Sequence, residues 1–297
     1  MTGHASATAP RRARRPLDLT SAATVRAVAR RVGLRPSRRL GQHFLVDRAV
    51  LDRIVAALSP APDEPVLEIG CGVGTLTAAL AGQATRVVAV DVDARCVAAT
   101  RITQRRRANV DVLHADALTV DPESAGLQEP WLAAGNLPYH LTGPLLSHLF
   151  ELPRPPRRGV FLVQREVAAR LGASDGEWSL ATVALRSIAD IERLADVPPG
   201  AFEPPPAVHS SIIRLHPSRG MTPAERAAVI ALARPVFQQR RKTLRHGLAH
   251  ALGRDAAIAT AALTDSAIDP GRRPGTLALD EWRRLAGAVE QARKGMR

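Results

Sequence analysis

The chain alternates between two kinds of hydrophobic spacing. Apolar residues recur at helical intervals from Leu19 to Val32, where Val25, Val28, Ala29 and Val32 share a face. They do so again after Asp47, a predicted N-cap, where Leu51, Ile54, Val55 and Leu58 form one stripe. Short apolar runs then alternate with helical stretches. Val66–Ile69, Arg86–Asp91, Val110–Ala115, Trp131–Gly135 and Gly159–Gln164 read as buried strands. Helices are expected after the first two, to residues 81 and 104, and over Leu145–Leu152, Glu166–Leu171 and Ser179–Ser187. This order predicts an α/β fold with a parallel sheet covered on both faces. Ile191–Val197 and Val208–Leu215 read as a closing antiparallel pair joined through the proline-rich FEPPPAV. From Thr222–Pro223, a cap and first-turn pair, the pattern is helical to the C-terminus. Three parts result: a basic extension over 1–36, an α/β domain over 37–217 and a helical domain over 218–297.

The stretch VLEIGCGVGTLT, residues 66–77, carries the first chemical signal. A strand ending at Glu68 and Ile69 runs into glycines at 70, 72 and 74. Glycine permits positive φ and close approach of backbone to a ligand. In open α/β sheets ligands bind beyond the carboxyl ends of strands, where such a turn sits. No Gly-Lys-Ser/Thr follows, and the glycines recur as G-x-G-x-G rather than G-x-G-x-x-G. With an acid two positions before the first glycine, the pattern points to S-adenosylmethionine; a plain strand-to-helix turn is the bland alternative. Asp91 ends the second strand 23 residues after Glu68, where a carboxylate meets ribose hydroxyls. Asp116 follows the third strand, placed to accept from an adenine amino group. A helix cap or solvated loop would account for either aspartate alone; acids at three successive strand ends favour the ligand.

The fourth strand leads into Asn136-Leu137-Pro138-Tyr139. Beside a methyl-donor turn, this implies methylation of a planar exocyclic amine. The nitrogen lone pair of such an amine is delocalised into the ring. The Asn136 oxygen and a neighbouring carbonyl would bind its N–H groups and favour a tetrahedral nitrogen. Pro138 fixes the turn, and Tyr139 offers a stacking face to a base taken out of its helix. Catalysis would rest on positioning and fixed dipoles, without a strong base. Phe202 is a candidate for the opposite side of the base, or a core contact at a stiff turn.

Charge narrows the partner. The net charge is +13, carried almost wholly by arginine, with only Lys242 and Lys294 as lysines. That balance favours a polyanion, nucleic acid first. Residues 1–40 hold ten arginines and one acid, Asp18, and the first 17 are expected to be disordered. Arg240, Arg241, Lys242 and Arg245 place four cations in six residues, candidates for phosphate contact or a solvated face. Cys71 and Cys96 give neither a disulfide framework nor metal-ligand spacing, which suits a reducing cytosol. No apolar run is long enough to cross a membrane.

Taken together, GQHFLVD (41–47), the glycine turn, NLPY (136–139), LVQREVAARL (162–171), FEPPPAVHSSIIRL (202–215) and VFQQRRKTLR (236–245) resemble the ribosomal RNA adenine N6-dimethyltransferase family. The resemblance spans about residues 36–290. It implies a Rossmann-like methyltransferase domain with a mixed seven-stranded sheet, a small helical C-terminal domain, S-adenosylmethionine as cofactor, and ribosomal RNA or a ribosomal subunit as partner. It implies a cytoplasmic monomer without metal. By position, Gln42, His43 and Leu45 would line the methionine end of the cofactor. Glu68, Gly70 and Gly72 would form its turn, Asp91 would bind ribose and Asp116 adenine. Asn136 would meet cofactor and target, Leu137 and Pro138 would shape the turn, Tyr139 would stack, and Phe202 would clamp. Departures are His43 and Cys71, where the family often has Asn and Pro, and Asp91, frequently Glu. GASDGEWSLATV (172–183) is shorter than in housekeeping small-subunit enzymes and looks more like the antibiotic-resistance branch, which modifies a large-subunit adenosine. NLPY and RRKTLR favour the housekeeping branch, and with it two adjacent adenosines near the small-subunit RNA 3′ end. A non-catalytic ribosome-assembly factor and a DNA adenine methyltransferase are the readings from other classes.

Overall fold

A computed structural model describes residues 17–37, 40–172 and 178–295. The first sixteen residues of the basic start, and residues 173–177 of the GASDGEWSLATV departure, lie outside the described residues.

Seven strands form one sheet. They are β2 (Val66–Ile69), β3 (Val87–Asp91), β4 (Val110–His114), β5 (Leu132–Asn136), β6 (Arg158–Gln164), β7 (Ala189–Val197) and β9 (Ser210–Pro217). Their order is β4-β3-β2-β5-β6-β9-β7. The first five are mutually parallel, and β9 runs antiparallel to both β6 and β7. The sheet is therefore mixed: the parallel expectation holds for the five strands linked by helices, and the antiparallel pair closes the edge.

Alternation along the strands divides the core. Val66, Val87, Ala89, Leu132, Val160 and Leu162 face one side, under α2 (Arg48–Leu58) and α3 (Thr75–Leu80). Leu67, Ile69, Val88, Val90, Phe161 and Val163 face the other, under α5 (Thr142–Glu151), α6 (Arg165–Leu171) and α7 (Leu180–Arg186). Asp47 caps α2, its carboxylate accepting from Val50 N–H at 3.1 Å. The N-terminal helix α1 (Ala22–Arg31) and α4 (Ala94–Gln104) enclose a smaller cluster, in which Val25, Val28 and Ala29 meet Phe44, Val73, Cys96 and Ala99.

The chain runs from β2 outward to β3 and β4, then returns to β5 on the other side of β2. This reversal opens a crevice between the carboxyl ends of β2 and β5, the place where such sheets bind ligands. Register puts Ile69 beside both Val90 and Gly135. Gly70, Asp91 and Asn136 consequently collect at one edge. Gly135 is forced by this closeness, since a Cβ there would stand 2.6 Å from the Ile69 carbonyl oxygen.

One element has no counterpart in the sequence pattern. Phe44–Leu45 (β1) pairs antiparallel with Phe202–Glu203 (β8), two residues on each side. This ribbon ties the segment before α2 to the proline-rich loop.

The C-terminal helices are α8 (Pro223–Gln238), α9 (Leu244–Ala251), α10 (Ala256–Asp265) and α11 (Leu279–Gly295). Thr222 and Glu225 form a reciprocal capping box on α8. Val229, Val236, Leu248, Leu263, Trp282 and Leu285 fill their core. Trp178 and Val183, from the α/β domain in sequence, are buried in that same cluster. Residues from both sides of the expected boundary at residue 218 thus share one core.

Candidate active site

The crevice encloses roughly 870 Å³ of non-atom space, open mouth included. Gln42, His43, Leu45, Gly70, Gly72, Asp91, Asp116, Asn136 and Pro138 all line it. Five segments distant in sequence supply them, each ending at the carboxyl edge of the sheet or passing over it.

The turn after β2 has the conformation its glycines permit. Gly70, Gly72 and Gly74 have φ of 76°, 56° and 86°, a region costly for residues with a Cβ. At Gly72 a Cβ would also lie 2.8 Å from the Phe44 ring. Asp91 braces the turn: one carboxylate oxygen accepts from Gly72 N–H and the other from Asp93 N–H, both at 2.9 Å. A carboxylate can accept about four hydrogen bonds, so capacity remains for a diol. Burial pushes the Asp91 carboxyl above its ordinary range, and the two backbone donors oppose that. Asp116 is exposed at the tip of β4, with one oxygen accepting from Leu118 N–H at 2.9 Å. Val92 is a large apolar side chain 57% exposed at this wall. Sequence reading passed over it, although it directly follows the strand-end acid. An apolar wall between two carboxylates suits a flat heterocycle with a sugar, so the residues fit an adenosyl group.

Glu68 stands elsewhere than a cofactor ligand would. It is 1% exposed, it faces the α3 side of the sheet, and it does not line the crevice. Both carboxyl oxygens lack a hydrogen-bond partner among the described residues, as do the Thr75 and Thr77 hydroxyls of α3. Burial pushes its carboxyl up to about 8; proximity to Thr77 opposes this and the Asp91 charge adds to it.

Gln42 is committed to protein partners. Its oxygen accepts from Ser37 N–H at 2.9 Å, and its amide nitrogen donates to Asp93 at 3.0 Å and contacts Cys96 Sγ at 3.4 Å. It fastens residues 40–45 as a strap across the crevice. Gly41, with φ 63°, lies against Pro138. Leu45 is buried in the core below.

At the tip of β5, the Asn136 amide nitrogen donates to the His43 carbonyl at 2.7 Å. This fixes the amide and leaves Oδ1 as an acceptor. The Pro138 carbonyl already accepts from Leu141 N–H at 3.0 Å, which leaves the Leu137 carbonyl as the candidate second acceptor. The Leu137 side chain is buried in the core. Tyr139 shares a 2.7 Å hydrogen bond with the buried Ser210 hydroxyl, and burial raises its phenol above the usual value. Phe202 differs from the clamp expected of it. Its ring is 3% exposed and packs in the core with Leu45 and Ala201, because β8 pairs with β1.

Among the described residues, no three His, Cys, Asp or Glu side chains gather as a metal site. None of the described helices is long and apolar enough to cross a membrane.

Comparison with known proteins decides the class. The model of the family described as ribosomal RNA adenine dimethylase matches residues 34–285. The chain belongs to that family. It is 41% identical to a ribosomal RNA small subunit methyltransferase A from Burkholderia sp., over 89% of this chain and 96% of that protein. To the protein of the same name from Dehalococcoides mccartyi it is 35% identical, over 91% and 95%. Among solved structures, the 23S rRNA methyltransferase ErmE superimposes with a TM-score of 0.68 at 27% identity, covering 84% of this chain and all of that one. A dimethyladenosine transferase from Plasmodium falciparum gives 0.70 at 23% identity, a likeness of fold. The mixed sheet with its helical appendage is thus the Rossmann-like methyltransferase architecture of the family. The chain is an S-adenosylmethionine-dependent ribosomal RNA adenine dimethyltransferase. The cofactor, when bound, supplies an electrophilic methyl group, and the crevice with Asn136 at its edge is the candidate place for the transfer.

Proposed function

We propose that this enzyme dimethylates N6 of the two adjacent adenosines near the 3′ end of small-subunit ribosomal RNA. The observation that carries the choice of subunit is the match to small-subunit enzymes, at 35–41% identity over about nine-tenths of the chain. Likeness to the large-subunit enzyme ErmE is lower, at 27%.

In this reading Asp91 accepts the ribose hydroxyls and Asp116 the adenine amino group of the cofactor, with Val92 against the ring. Gly70 and Gly72 let the backbone approach, and the strap at Gln42, His43 and Leu45 closes over the methionine end. The target base leaves its helix to reach the crevice, as base-modifying enzymes require. Asn136 Oδ1 and the Leu137 carbonyl accept from the target amine and hold its lone pair toward the methyl donor. Donors and acceptors fixed before the reaction stabilise its transition state without reorganisation. Arg240, Arg241, Lys242 and Arg245 are exposed, and none makes an ion pair among the described residues. They meet RNA phosphates.

The test is methyl transfer from labelled S-adenosylmethionine to unmethylated small subunits and, separately, to naked large-subunit RNA, with mass mapping of the product. Label on two adjacent small-subunit adenosines is the expected result. Label on a large-subunit adenosine would place the enzyme in the resistance branch.

A further inference from the structure

We propose that Thr100, Thr103 and Gln104 of α4 are positioning residues for cofactor binding: they hold the glycine turn, by its carbonyl groups, in the shape that receives S-adenosylmethionine. The proposal rests on the reading that the turn after β2 takes the cofactor.

Three successive carbonyls of the turn each accept from one of these side chains. The Thr100 hydroxyl donates to the Gly72 carbonyl at 3.1 Å, the Thr103 hydroxyl to that of Val73 at 3.0 Å, and the Gln104 amide to that of Gly74 at 3.0 Å. Positions three and four apart lie on one face of a helix, so α4 presents all three to the turn together. The approach is close. A Cβ at Gly74 would stand 2.6 Å from the Thr103 hydroxyl oxygen and 2.9 Å from the Gln104 amide nitrogen. The three side chains are also linked to each other. The Thr103 hydroxyl shares its proton with the Thr100 carbonyl at 3.1 Å and accepts from the Gln104 amide at 3.1 Å.

Thr100 and Gln104 are buried and Thr103 is half-buried. A carbonyl facing such groups has to find its partner in the protein. That of Gly74 also takes the first turn of α3, from Ala78 N–H at 3.0 Å; those of Gly72 and Val73 depend on the threonines. The arrangement costs the fold something. The Gln104 side-chain oxygen is buried without a partner among the described residues, and a buried unpaired acceptor is destabilising. Leucine would fill much the same space without that cost. A local rule broken in this way marks a functional constraint, and the group that the amide serves is the turn.

The same helix gathers the rest of the site. Its N-cap residue Asp93 gives its N–H to Asp91 at 2.9 Å and its carboxylate to the Gln42 amide at 3.0 Å. Val25, Val28 and Ala29 of α1 hold α4 from behind, through Cys96 and Ala99. Turn, strand-end acid and strap are thus all registered to one helix. Setting their relative positions before the ligand arrives lowers the cost of binding it.

The experiment compares the full wild-type chain with Thr100→Val, Thr103→Val, the double valine variant, Gln104→Leu, Thr100→Ser and Thr103→Ser. Valine keeps the shape of threonine without its hydroxyl, and serine keeps the hydroxyl. S-adenosylhomocysteine affinity is read by calorimetry, cofactor KM and kcat with unmethylated small subunits, and folded fraction and melting temperature by circular dichroism. One hydrogen bond of this kind is worth about 2- to 12-fold. The expected result is a loss of affinity in that range for each valine variant and for Gln104→Leu, and of at least about 5-fold for the double variant. Cofactor KM should rise in step while kcat at saturating cofactor stays within about two-fold. The serine variants should bind within about two-fold of wild type, and Gln104→Leu should melt no lower than it. The double valine variant binding within about two-fold of wild type would overturn the proposal. So would serine variants as weak as their valine counterparts, or losses of affinity that merely follow the folded fraction or the melting temperature. Wild-type affinity unmoved by Asp91→Asn would instead bring down the underlying reading, and is seen without any α4 variant.

Discussion

The Asn136 side-chain amide donates to the main-chain carbonyl of His43 at 2.7 Å, across 93 positions of sequence. Which way the amide faces is thereby decided by a strap from another part of the chain. Asn136→Asp has no N–H to offer His43 and sets a carboxylate against a carbonyl. Both Asn136→Ala and Asn136→Asp are expected to lose about 10²–10³-fold in methyl transfer, the usual scale for one preorganised polar group. S-adenosylhomocysteine binding by calorimetry should change little. Asn136→Asp retaining a tenth of the activity would sink this assignment.

Cofactor affinity should depend on pH through Asp91. Burial holds its carboxyl above the ordinary range, with the Gly72 and Asp93 N–H groups opposing. The ionised form is the better acceptor for ribose hydroxyls. Affinity is therefore expected to strengthen as pH rises through the raised pKa and to weaken below it. Calorimetric titration across a pH series should show this slope in wild type and a flat, weaker profile in Asp91→Asn.

Glu68 predicts an inverse trend for stability. Its folded pKa of about 8 lies above the ordinary carboxylate value. Between the two the folded state binds the extra proton, so stability falls as pH rises toward and through about 8. Glu68→Gln keeps the shape and removes the ionisation. Thermal melts should show the variant more stable than wild type above that pH, by at least a few degrees, and nearly equal to it in mild acid. A parallel pair of melting curves at all pH values would refute this.

The exposed cations of the helical domain can be counted by salt. Every RNA phosphate that a side chain no longer neutralises makes the log–log salt slope of binding shallower by about 0.7–0.9. Replacing Arg240 and Arg241 by Gln should reduce it by about 1.4–1.8. An unchanged slope would return these arginines to an ordinary solvated surface.

The parts legible in the sequence were those written in local pattern. Strand-end acids and alternating glycines placed Asp91, Asp116 and the turn correctly at one edge, since strand periodicity and parallel order leave few arrangements. Asp47 and Thr222 announced their helices by capping chemistry. What escaped depended on contacts between distant segments. The ribbon of Phe44–Leu45 with Phe202–Glu203 is too short to show alternation, and it alone decides that Phe202 turns inward. Glu68 shares its motif with ligand-facing glycines, yet strand alternation sends its side chain through the sheet to the α3 face. Gln42 was legible as polar and near the site; that its amide is spent on Ser37 and Asp93 was not.

Trp178, Leu180 and Val183 pack among the C-terminal helices while Leu185, further along α7, lies in the methyltransferase core. A shared hydrophobic joint of this kind acts against a hinge, since bending there would expose buried apolar surface. On the proposed reading, in which the cations after α8 grip RNA phosphates, such a joint would set the span from that grip to the Asn136 crevice, and the enzyme would pick its adenosine as a caliper does, by distance from the gripped phosphates.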